Sequence, residues 1–300
     1  MTTHTTSASW LALRFDAMRS LVRRPIIQRS AFVFALLIFG GGLWAATRAH
    51  PQLLQNLNLQ FFALLVFVFS PAVIFVNAAI FKHTARMGGV SFNMGETLRL
   101  TVLSSALNHL PAPGGPVLRI AAMRARGGAL ETASVVNVGA ALLWLGASFL
   151  FAGGWAVLFS NVLAAACLLI GMVSLVIGSA MCWRVRRRVR DALSILAMNC
   201  VNVLLYAAAL WIGFLALGEP VSVSEASVIS AAGVIGSSAS FLPAGIGARE
   251  AAGAFLGSRI AIDPLIAFSA TALVHLAMMA TLAAAAASLT LTGAKLHTPS

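Results

Sequence analysis

The chain has 300 residues, of which 60% are hydrophobic and only 9% charged, with a formal net charge of +12 and a mean hydropathy of +0.93. A soluble domain carries about a quarter charged residues, so these values exclude a water-soluble globular fold and indicate an integral membrane protein. The apolar runs are long and continuous, which selects helices over a β-barrel. The charge is almost all arginine placed beside those runs, as positive-inside topology and anionic lipid contact require, so nucleic acid is excluded as a partner.

Residues 1–29 are polar, with Arg14, Arg19, Arg23, Arg24 and Arg29. Trp10, Leu11, Phe15, Met18, Leu21 and Val22 form a loose helical stripe between them, so the segment reads as an amphipathic helix on the cytoplasmic leaflet. Its first apolar run starts after five arginines, unlike a cleavable signal. Full crossings are expected at about 30–47, 60–81, 133–152, 161–183, 192–217 and 264–290, with a kink at Pro71, whose nitrogen cannot donate. A short tail, 291–300, follows. Lys82, His83, Arg86 and Arg99 follow the second span, and Arg184 to Arg190 follow the fourth. The loops after the first, third and fifth spans are nearly free of basic residues, which places both termini in the cytoplasm. Cys167, Cys182 and Cys200 have no metal-ligand spacing and read as small apolar side chains.

Two apolar segments remain, about 96–110 and 226–242, each short for a crossing of about 20 residues. They end in Leu110-Pro111-Ala112-Pro113-Gly114-Gly115 and Leu242-Pro243-Ala244-Gly245-Ile246-Gly247. Both are expected to turn back as re-entrant hairpins, over 96–126 and 226–258. Backbone broken at membrane depth survives only where protein or a wet cavity satisfies its polar groups, so the breaks should line a cavity. Pro243 lies 132 positions beyond Pro111, and the same shift lays the first three spans on the last three. Each half, 30–152 and 161–290, then holds three crossings and one hairpin. An odd number of crossings inverts the second half, giving an inverted-topology repeat with a site at the repeat interface. The expected fold is all-α and polytopic, with six full transmembrane helices and two re-entrant helical hairpins.

The pair of motifs, Pro111-x-x-x-Gly115-x-x-x-Arg119 and Pro243-x-Gly245-x-Gly247-x-Arg249-Glu250, resembles the signatures of the lysylphosphatidylglycerol synthase transmembrane-region family of flippase-like membrane proteins. The resemblance spans about 30–290. It implies eight membrane-embedded helical elements, a bacterial inner-membrane location, and movement of polar-headed lipids between leaflets. The family's first motif commonly carries Glu directly after the glycine, where this chain has Pro116, so an acidic role there is not expected. No aminoacyl-transfer domain or catalytic constellation is read in these residues, so the chain is expected not to be an enzyme, and no cofactor or metal is called for.

The chemistry of the breaks is that of an anion site. Helix starts beside Gly115 and Gly247 offer N–H groups and the positive end of the dipole, and the guanidinium groups of Arg119 and Arg249 grip a phosphate through parallel donors. The expected substrate-binding set is Pro111, Gly115, Arg119, Asn108 and His109 in the first half, with Pro243, Ser240, Gly247, Arg249 and Glu250 in the second. Arg249 and Glu250 also read as an ion pair pinning the hairpin. His275, alone in the last span, forms a candidate proton relay with Glu250. Asn137, Asn199, Asn202 and Tyr206 read as interhelical hydrogen-bonding groups, and Glu96 and Glu225 as N-terminal helix acids. Three functions compete: a lipid flippase, a membrane partner that presents lipid-linked substrate to a separate synthase or glycosyltransferase, and a small-solute secondary transporter.

Overall fold

A computed structural model describes residues 25–108, 114–185, 189–238 and 245–291. The expected amphipathic segment lies largely outside these residues, and its last five belong instead to the first helix. Among the described residues the chain is all-helical. We name the elements α1 (Pro25–Ala49), α2 (Gln52–Gln55), α3 (Leu59–Met87), α4 (Met94–Leu107), α5 (Gly114–Ala125), α6 (Leu130–Ala156), α7 (Asn161–Val185), α8 (Val189–Ala216), α9 (Val223–Ser238), α10 (Ala248–Arg259) and α11 (Pro264–Leu291). Five of them, α3, α6, α7, α8 and α11, are long and apolar enough to cross a membrane, and α1 adds a shorter apolar stretch, Leu36–Ala49. The architecture is that of a polytopic membrane protein. Its outer surface fits: α7 exposes Val162, Leu169, Met172, Val173 and Val176, and α3 exposes Phe67, Val68 and Phe75.

Helix starts and breaks follow local chemistry. Asn58 caps α3 by accepting from the Gln60 and Phe61 amides. The disturbance expected at Pro71 takes the form of a π-helical turn over Leu65–Phe69. A proline ring clashes with the carbonyl four residues back, and one wider turn relieves that clash without ending the helix. In this stretch the Val66 carbonyl accepts from Thr281 Oγ1 of α11 at 2.9 Å, the kind of neighbouring side chain that satisfies backbone at membrane depth. Asn93 and Glu96 form a reciprocal capping box on α4, each accepting from the other's amide at 2.9 Å. At α9, Glu225 accepts from the Ser222 amide at 2.6 Å.

The helices gather their loops into two ends. At the first, Met87, Val90, Phe92, Met123, Ala133 and Ile195 share one buried cluster, and His83 meets Asp191 at 3.3 Å. At the second, Leu53, Ala156, Leu217 and Ile260 share another. There His50 meets Asp263 at 3.5 Å, and the Asn58 amide donates to Ala216 O at 2.7 Å.

α4 and α5 form an antiparallel hairpin. The Gly115 amide donates to Asn108 Oδ1 at 3.0 Å, Arg119 Nε donates to Ser104 Oγ at 3.1 Å, and Arg126 meets Glu96 and donates to Ser91 O. Each step along α5 thus pairs with a step back along α4, and the hairpin opens on the first end. α9 and α10 pair likewise. Arg249 Nη2 donates to Ser237 Oγ at 3.2 Å, Leu256 and Ile229 lie in one cluster, and Ile260 brings the far end of α10 to the second end of the bundle. These four helices have 14, 12, 16 and 12 residues. At about 1.5 Å per residue each is shorter than a hydrocarbon core of about 30 Å.

α6 and α7 make the tightest pair. A methyl group added at Gly146 would lie 3.0 Å from Gly171 O, and one at Gly178 would lie 3.0 Å from Gly139 O. Small residues at these steps bring the two backbones into contact, the usual way apolar helices associate without a hydrophobic drive.

Candidate functional site

A cavity of about 430 Å³ lies between the two hairpins. α3, α4, α5, α6, α8, α9, α10 and α11 all contribute to its wall. α4 and α5 supply Ser105, Asn108, Gly115, Pro116 and Arg119, while α9 and the start of the α10 segment supply Ser237, Gly245 and Arg249. Asn77, Thr84, Asn137, Trp144, Asn199, Tyr206 and His275 complete the polar lining, and Val73, Ile74, Ile80, Val138, Met278 and Leu282 make the aliphatic wall. The wall includes two arginines and one histidine but no carboxylate among the described residues.

The backbone at the second break is built around glycine. Gly245 and Gly247 have φ of +68° and +80°, the left-handed region that other residues avoid. A methyl at Gly245 would also strike the Gly236 carbonyl, and one at Gly236 would strike Arg249 Cβ. The close crossing of α9 and α10 therefore sets where Arg249 stands. Arg249 is 9% exposed. Its Nη2 donates to Ser237, while its Nε is buried and has no partner among the described residues. Asn199, 1% exposed, has a buried Nδ2 in the same condition.

Behind Arg249 sits Glu250, fully buried, with His275 at 3% exposure. Glu250 Oε2 accepts the Gly247 amide at 2.7 Å, and Oε1 meets His275 Nδ1 at 2.7 Å. The carboxylate thus closes the N-terminus of α10 and ties it to α11. Residues adjacent on a helix do not face one another, which explains why Glu250 takes His275 as its partner rather than Arg249.

The expected site residues divide into three groups. Asn108, Gly115, Arg119, Arg249 and His275 line one cavity. Glu250 and Gly247 are buried behind the wall instead of on it. His109, Pro111, Ser240 and Pro243 lie outside the described residues. Of the helix-start donors anticipated at the two breaks, the Gly115 amide donates to Asn108 Oδ1 and the Gly247 amide to Glu250 Oε2. Arg119 stands a turn and a half into α5, stacked over the Phe81 ring at 5.3 Å.

Asn77 was not singled out by sequence, since one asparagine in an apolar span carries no period. It accepts from Asn202 Nδ2 at 3.4 Å, joining α3 to α8. Asn137 donates to Ala133 O on its own helix at 2.8 Å and, like Asn199 and Tyr206, faces the cavity.

No protein-family model, curated protein or solved structure matches this chain.

Proposed function

We propose that the chain moves a polar-headed, anionic lipid between bilayer leaflets, as a flippase-like transporter of the bacterial inner membrane. One observation carries this reading: an arginine from each hairpin faces the same cavity, and no carboxylate faces it among the described residues. Charges away from water are costly and persist where a ligand or pathway needs them. Aliphatic groups beside these cations suit an amphipathic occupant, whose head meets the guanidinium forks while its chains stay among apolar side chains.

The packing of the helices supports an inverted repeat with two re-entrant hairpins. Exchanging α1 with α7, α3 with α8, α4 with α9, α5 with α10 and α6 with α11 turns the following neighbouring pairs into neighbouring pairs. α6 against α7 becomes α11 against α1, α3 against α4 becomes α8 against α9, and α4 against α11 becomes α9 against α6. The hairpins open on opposite ends, as such a repeat requires. Arg86, Arg124, Arg126, Arg184 and Arg190 lie by the first end and Arg48 and Arg259 by the second; we assign the first to the cytoplasm.

The test is leaflet exchange of fluorescent phospholipid in vesicles reconstituted with the purified chain. Arg249→Ala should abolish exchange while the protein remains folded, and Arg249→Lys should restore only part, lacking the planar fork. Wild-type rates in Arg249→Ala would overturn the assignment. Transport of a free anionic solute without lipid exchange would move the function to a solute carrier.

A further inference from the structure

A second, far smaller pocket lies between α6, α8 and α9. Its volume is about 10 Å³, against about 430 Å³ for the central cavity, and about 10 Å³ is the least that one water molecule needs. Ser148 of α6, Tyr206 of α8 and Ser230 and Gly233 of α9 line it. Trp144 and Tyr206 line both this pocket and the central cavity.

The hydroxyls around the pocket are set out for a guest. Ser174, Ser227, Ser237 and Ser269 each donate to the carbonyl four residues back on their own helix, the usual way a helical serine satisfies itself. Ser148, 5% exposed, makes no such bond, and the Tyr206 hydroxyl has no partner among the described residues. Ser230 donates to Ser227 O at 2.7 Å, and its oxygen keeps the capacity to accept. Ser148 and Tyr206 thus bring donors and acceptors, and Ser230 brings an acceptor.

No charged side chain lines the pocket among the described residues. A buried ion would stand there without a counter-charge, so the guest is neutral, and the volume admits a single heavy atom. A void with only apolar walls stays dry, whereas three hydroxyls fall within the two to four partners that a buried water takes.

We infer that this pocket binds one water molecule, which donates to Ser230 Oγ and hydrogen-bonds with the hydroxyls of Ser148 and Tyr206. The water ties the first arm of the second hairpin to α6 and α8, taking the place of direct hydrogen bonds between the helices. Ser237, which accepts from Arg249, lies about two turns further along α9, so the bridge steadies the helix that carries it. This inference does not depend on what the central cavity transports.

The test puts a methyl group where the water sits. A methyl at Gly233 would lie 3.4 Å from Tyr206 Cε1 and would meet nothing within 4 Å besides that ring, so alanine fits. Alanine also favours a helix over glycine. In a dry pocket Gly233→Ala would therefore raise the thermal unfolding midpoint of the purified chain in detergent. With the water displaced, the Ser148 and Tyr206 hydroxyls lose their partner, and the midpoint should instead fall by a few degrees. The Ser148→Ala, Tyr206→Phe background removes those hydroxyls and keeps the ring, and there Gly233→Ala should raise the midpoint. A midpoint that holds or rises in the otherwise unaltered chain overturns the inference. So does one that falls in the double background, because the loss is then crowding against the ring. A high-resolution density map of the full chain should show one peak within about 3 Å of Ser148 Oγ and of Ser230 Oγ, and a featureless pocket overturns the inference as well.

Discussion

Replacing His275 with leucine tests how the second hairpin is held. The imidazole is 3% exposed and its Nδ1 lies 2.7 Å from Glu250 Oε1. Glu250 is fully buried, and its other oxygen already accepts the Gly247 amide. Leucine fills similar volume but leaves one carboxylate oxygen without its donor. Leaving a buried carboxylate without its partner costs about 3–5 kcal/mol, because the charge stays buried. Changing Glu250 to glutamine in the same background removes that charge, and a neutral amide can still accept from Gly247. Most of the loss should then be recovered, leaving about 1 kcal/mol for the missing hydrogen bond. The assay is thermal unfolding in detergent with a thiol-reactive fluorogenic dye, since Cys167 and Cys182 are buried and react only on unfolding, while exposed Cys200 sets the baseline. Unfolding in detergent is commonly irreversible, so the order of midpoints at one scan rate is the readout. His275→Leu should fall well below wild type and the double variant should lie between them. A single variant as stable as wild type, or a double variant below the single, would refute the reasoning.

Three further outcomes follow from the geometry. Cysteines introduced at Ser91 and Leu130, which flank the first hairpin, should react with an impermeant thiol reagent from one side of oriented vesicles, and cysteines at Val223 and Ser258 from the other; labelling of 91 and 130 from opposite sides would mean that α4 and α5 cross. Gly245→Ala should lower the unfolding midpoint through about 1–2 kcal/mol of left-handed backbone strain and the collision with Gly236, whereas Gly154→Ala, which meets nothing within 4 Å, should be neutral or raise it; equal effects would deny the tight crossing. Thr281→Val should cost about 1 kcal/mol by removing the donor to Val66 at the π-turn, read as a lower midpoint in the same dye assay.

The long elements were legible because a crossing is written as an unbroken apolar run. The expected spans over 133–152, 161–183 and 264–290 each fall inside one helix, at Leu130–Ala156, Asn161–Val185 and Pro264–Leu291, and 192–217 overruns its helix, Val189–Ala216, by one residue. The two breaks were legible because proline and glycine interrupt those runs. Partnerships across the bundle were not. Glu250 and His275 are 25 positions apart on different helices, and Asn77 and Asn202 are 125 apart. The depth of Arg119 was hidden as well. Arg124 and Arg126 follow closely in sequence, yet only Arg119 turns inward, held by Ser104 fifteen positions earlier. A helix places neighbours about 100° apart, so adjacent arginines reach water, lipid or cavity according to a rotation that a composition window averages away.

Where α6 and α7 touch, glycine removes the cushion of side chains that lets most helices slide. Gly139, Gly146, Gly171 and Gly178 set main chain against main chain, so sliding or parting would open an empty seam with no atoms to fill it. The two behave as a single strut, and it fastens the N-terminal half of the chain to the C-terminal half along one flank.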